Sequence, residues 1–150
     1  MLEKEKLQNE KNGSAVTIQV PGKPCFLKAI RAFIRTVACL SDFSESNVQE
    51  MVLAVDEACS NIIRHSYNSM EGMIVIQCKV FDNKLEIYLR DFGKSATKGA
   101  LRSRDIKDIK PGGLGCYLIR SVMDEIKYTG SDLDGNILKL VKRKTRKKEK

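Results

Sequence analysis

The fold predicted by this sequence is an α+β two-layer sandwich, with a mixed, mainly antiparallel sheet covered on one face by three helices. Three observations carry that prediction. Alternating or β-branched segments come in pairs joined by short turns, and three other segments repeat apolar residues at helical spacing. Along the chain these follow the order strand, helix, helix, strand, strand, loop, helix, strand, strand, which suits a sheet with helices segregated to one face. At 150 residues and 42% hydrophobic content, the chain has room for one domain with a core but not for two ordinary ones.

Residues 1–14 are polar and charge-mixed and end near Asn12-Gly13, which predicts a flexible leader. The segment 15–20 is β-branched and stops at Pro21-Gly22, a strand closed by a turn. From 23 to 40, Phe26, Leu27, Ile30, Phe33, Ile34 and Val37 recur at helical spacing. Lys28, Arg31 and Arg35 share another face of that helix, either as a solvated stripe or as a surface for an acidic partner. The polar segment 41–46 supplies capping residues for the central helix, 48–67, on which Val48, Val52, Val55, Cys59 and Ile62 form the core-facing side. Segment 73–81, the turn Asp82-Asn83 and the alternating 84–90 make an antiparallel hairpin with one buried face. Residues 96–110 are dominated by Lys, Arg, Ser and Asp, and a loop of that length in a compact domain is functional or disordered. A helix over 116–126 carries Leu118, Ile119, Val122 and Met123, and segments 125–129 and 137–141 form a closing hairpin.

The formal net charge of +8 is local: residues 142–150 hold seven bases and one acid, leaving the rest of the chain at about +2. The body is therefore not a basic surface, and direct nucleic-acid binding is not expected; 142–150 reads as a basic disordered tail beyond a domain spanning 15–141. Five cysteines without a CxxC pair predict reduced core thiols, and a single histidine leaves little from which to build a zinc site. No apolar run approaches the ~20 residues needed to span a bilayer. The first residues lack the apolar segment of a signal peptide, so a cytoplasmic protein without membrane association is expected.

Three stretches carry chemistry. Glu57 and Asn61 stand one helical turn apart, away from the apolar side, with Arg64 and His65 nearby. A carboxylate there can orient or deprotonate a hydroxyl and an amide oxygen can ligate Mg²⁺, although a Glu/Asn pair also suits a plain solvated face. Gly112, Gly113, Leu114 and Gly115 open a helix, where bare backbone N–H groups can cradle phosphate or simply form a tight turn. The run matches neither GxxxxGK[ST] nor GxGxxG after a strand. Asp91-Phe92-Gly93 has the letters of the metal-binding triplet of eukaryotic-type protein kinases, but VAIK and HRD are absent and that reading fails. Asp91 is suited to accept a hydrogen bond from an exocyclic amino group such as adenine's, with Gly93 beside the base, or to close an Asx turn.

Taken together, Glu57-x-x-x-Asn61, Asp91-x-Gly93 and Gly113-Leu114-Gly115 resemble the Bergerat-type ATP-binding fold shared by gyrase, certain chaperones and histidine kinases. Within that group the chain is most similar to the anti-sigma factor serine-protein kinases of bacterial partner switching, through LAVDEACSNIIRHSY, GGLGCYLIRSVMDEIKY and DGNILKLVKRK. The resemblance spans nearly all of 15–144. It implies ATP and Mg²⁺ as cofactors, Glu57 as general base on a substrate serine, Asn61 as metal ligand and Asp91 as the adenine reader. It further implies that Gly93 and the run Gly112, Gly113, Leu114, Gly115 contact base and phosphates, with His65 near the phosphates. The loop 96–110 would be the ATP lid, with Lys107 and Lys110 as phosphate contacts. Ser95 stands where larger relatives often carry a second glycine, a departure that bears on the lid hinge. The implied function is an anti-sigma factor that sequesters a sigma factor and phosphorylates a serine or threonine on its STAS-type anti-anti-sigma antagonist, with a homodimer as a further option. Two alternatives are a nucleotide-gated protein-binding module without transfer activity and a detached histidine-kinase catalytic domain. Glu57 argues against the first, and the lack of a phosphoacceptor helix against the second.

Overall fold

The computed structural model describes residues 13–67, 72–93, 113–131 and 135–145. The elements run β1 (Ser14–Pro21), α1 (Leu27–Leu40), α2 (Glu45–Asn61), β2 (Met73–Val80), β3 (Lys84–Asp91), α3 (Gly113–Val122), β4 (Glu125–Ser131) and β5 (Gly135–Arg143). The sheet order is β1-β2-β3-β5-β4, and every pairing is antiparallel, so the parallel share that a mixed sheet would carry does not occur among the described residues. No described helix is long and apolar enough to cross a membrane.

Period-two alternation sorts the strands into two faces. Ile74, Ile76 and Cys78 of β2, Leu85, Ile87 and Leu89 of β3 and Leu140 of β5 join one buried cluster with Ile30 and Ile34 of α1, Val48, Met51 and Val55 of α2, and Ile119 and Val122 of α3. Each such side chain contributes about 1.5–3 kcal/mol by leaving water. Helix α2 packs against both α1 and α3, which makes it the centre of the helical layer. Its start is fixed by the Ser44 hydroxyl, which accepts the Asn47 N–H at 3.2 Å.

Helix boundaries depart from the sequence reading in several places. A short 3₁₀ turn at Pro24–Phe26 precedes α1, so the regular helix begins at Leu27 instead of residue 23. After Asn61 the central helix widens into a π-helix over Ile62–Tyr67. Helix α3 starts at Gly113 and stops at Val122, where the Lys142 ammonium donates to the Val122 carbonyl at 2.6 Å and caps it. Strand β5 continues to Arg143, two residues into the segment read as tail. The basic stripe of α1 is largely engaged inside the molecule: Arg31 pairs with Asp56 and Arg35 with Glu45, each at 2.8 Å. The cysteines also differ from the expectation of core thiols, since Cys25 and Cys39 are exposed while Cys59 and Cys78 are buried. Burial pushes the Cys78 thiol up to about 12.

The sheet face away from the helices carries its own polar cluster. Glu86, only 6% exposed, accepts from the Tyr88 hydroxyl at 2.9 Å and lies 3.3 Å from both the Lys84 and Lys139 ammonium groups. Burial works against its charged form, but the Tyr88, Lys84 and Lys139 hydrogen bonds outweigh it, and the carboxyl is held below its ordinary value.

Candidate functional site

Two elements bring the polar residues of the site together. On α2, Glu57 and Asn61 lie one turn apart, and the Arg64 side chain leans back toward the helix N-terminus over both of them. One guanidinium nitrogen, Nη2, donates to Asn61 Oδ1 at 2.7 Å and lies 3.4 Å from Glu57 Oε1. The carboxylate and the carboxamide therefore converge on a single point. His65 follows on the same π turn and is exposed.

At the end of β3, Asp91 is 4% exposed, and its Oδ1 accepts from the Gly93 N–H and from Asn136 Nδ2, each at 3.0 Å. The Gly93 bond is the Asx turn that the sequence admits at this place, and it fixes the carboxylate's rotation. Asn136 stands directly opposite Asp91 in the β3–β5 ladder. It is 3% exposed, and its Oδ1 finds no partner among the described residues. Gly135 makes this approach feasible, because at φ +80° a Cβ would collide with the Asp91 carbonyl oxygen and the Phe92 ring. Cys59, two residues after Glu57 on α2, is fully buried in the core. Burial raises its thiol well above the ordinary value, and the charges of Asp56 and Asp91 push the same way.

Gly113, Leu114 and Gly115 form the first turn of α3, not a loop ahead of it, and α3 packs along α2. The first N–H groups of such a helix have no intrahelical acceptor, which is the chemistry that a phosphate accepts. Lys107, Lys110, Gly112 and the 96–110 loop lie outside the described residues. Two participants escaped the sequence reading. Arg64 is noted there only as a neighbour, although its position three residues after Asn61 puts it within reach. Asn136 carries no signal of its own, since its contact with Asp91 depends on β5, and not β4, lying beside β3.

Residues 20–142 match the family model described as the histidine kinase-like ATPase domain. The chain is 32% identical over 120 residues to the serine-protein kinase RsbW of Bacillus cereus (strain AH820), covering 75% of each chain, and it matches that of Bacillus anthracis to the same extent. RsbW of Bacillus thuringiensis (strain Al Hakam) is 31% identical over the same share. Among solved structures, the RsbU and RsbW domains of Rv1364c from Mycobacterium tuberculosis superpose with a TM-score of 0.63 at 17% identity. That match covers 87% of this chain and 32% of the solved one, and it is a likeness of fold.

Proposed function

The chain belongs to the histidine kinase-like ATPase domain family, grouping there with the RsbW serine-protein kinases, and from that premise we propose that it is an ATP-dependent protein serine/threonine kinase acting as an anti-sigma factor. In this reading it sequesters a sigma factor in the cytoplasm and phosphorylates a STAS-type anti-anti-sigma protein. The observation that carries the catalytic part is the convergence of Glu57 and Asn61 on one cationic group. Two hard oxygens that already attract a cation are the donor chemistry that Mg²⁺ prefers, so Asn61 would hold the metal, with Glu57 beside it. When bound, Mg²⁺ neutralises charge on the phosphates. Glu57 orients the substrate hydroxyl and takes its proton as the oxygen bonds to the γ-phosphorus and ADP leaves. Asp91, held by Gly93 and Asn136, accepts from the adenine amino group, and the α3 N-terminus with His65 faces the phosphates.

The test compares two neighbours that should fail differently. Asn61→Ala is expected to lose Mg-ATP binding and transfer together. Glu57→Gln should bind nucleotide normally while single-turnover transfer to the antagonist falls about 10²- to 10⁴-fold, the contribution of a positioned general base. Near-normal transfer by Glu57→Gln would remove the base assignment and favour the nucleotide-gated binding module.

A further inference from the structure

We propose that Arg64 is the resident counter-ion of this site: its guanidinium holds Glu57 and Asn61 in place while no divalent cation is present, and yields that position when metal-bound nucleotide arrives. The inference rests on the reading of Asn61 as a metal ligand and adds what stands in the metal's place. Its ground is one atom, since Arg64 Nη2 contacts both Asn61 Oδ1 at 2.7 Å and Glu57 Oε1 at 3.4 Å. A guanidinium cannot lose its proton to leave as a neutral group, so the point between these oxygens stays positive until the whole side chain moves. A guanidinium N–H and a divalent cation held at bonding distance from the same Asn61 Oδ1 would be two positive charges a few ångströms apart and would repel each other strongly. Displacement is easy because the Arg64 side chain is 59% exposed and exposed ion pairs are weak. Arg64 also sits on the π-helical turn Ile62–Tyr67, a wider winding that recurs at functional positions in helices.

The consequence is asymmetric. Without metal, Arg64 supplies the positive charge that nucleotide phosphates need at this point; with metal, it is no longer required there. Calorimetric titration of ATP in excess EDTA and in excess Mg²⁺, for the parent chain, Arg64→Gln and Arg64→Lys, reads this directly. Arg64→Gln is expected to lose about tenfold in metal-free ATP affinity, the scale of one charge-assisted hydrogen bond, while Mg-ATP affinity stays within about threefold. Arg64→Lys keeps the charge and should restore most of the metal-free affinity. Equal losses in both conditions would make Arg64 an ordinary phosphate contact and overturn the proposal, as would no loss in either. A parent chain indifferent to Mg²⁺ would overturn the metal-ligand reading and this proposal with it. A parent that responds to Mg²⁺, with an Arg64→Gln variant responding identically, overturns this proposal alone.

Discussion

On the proposed reading, Asp91 and Asn136 divide one task between structure and recognition, and substitutions should separate the two parts. Asn136→Ala removes the buried donor to the Asp91 carboxylate, which is expected to cost roughly 1.5–3 kcal/mol of stability in urea unfolding. The cost should fall toward the lower end of that range, because the same change also removes an Oδ1 that is buried without a partner. Asp91→Asn should instead weaken ATP by roughly 1–3 kcal/mol and narrow the preference for ATP over GTP, as measured by calorimetry. Equal affinity for ATP and GTP in the parent chain would contradict the role given to Asp91. At this scale the sequence was legible where partners are local. Glu57 and Asn61 stand four apart on one helix, and Asp91 and Gly93 close a two-residue turn. It was not legible where the partner lies 45 residues away, as Asn136 does from Asp91.

Strands and helices were read well in kind and less well in extent. Periodicity identified α1, α2 and the β2–β3 hairpin, because each buries one face against the same core. The winding of the central helix ends at Tyr67 as read, but periodicity does not separate the π turn after Asn61 from α-helix. The stop of α3 at Val122 was missed, since its cap, Lys142, lies 20 residues away. The alternation of β3 also conceals the fact that Glu86 is buried on the far face, among Tyr88, Lys84 and Lys139. This cluster predicts an acid limb in stability. The folded carboxyl is held below its ordinary value of 4.5, so its contribution is fully present above about that pH and is lost as pH falls through the folded value. Urea midpoints recorded from pH 7 downward should show Glu86→Gln less stable than the parent at neutral pH, with the gap closing in acid. A gap independent of pH would mean that the carboxylate's charge is not what stabilises the cluster.

For the molecule as a whole, the layer architecture follows from element order, but the strand order does not. Both a closing hairpin with β4 inside and one with β5 inside fit the same residues. With β5 inside, the end of the chain becomes structural: Lys142 caps α3, the Arg143 N–H donates to Asp124, its guanidinium pairs with Glu125, and the Lys144 N–H reaches the Asn83 carbonyl. A chain cut after Thr145 should therefore melt like the parent, whereas one cut after Val141 should lose about 2–4 kcal/mol, the sum of several modest hydrogen bonds. Thermal melts of the two truncations decide this, and equal melting temperatures would mean that these contacts contribute nothing. The position of β5 also orders events in time. A nascent chain emerging from the ribosome carries Glu57, Asn61 and Asp91 into solution long before residue 136 is made. Until β5 inserts between β3 and β4, Asp91 lacks its cross-strand partner and β3 remains an open edge. On the proposed reading, competence to bind a nucleotide base thus waits until residue 136 has been made and β5 has inserted, and a chain terminated before it would carry Glu57 and Asn61 without a finished place for the base.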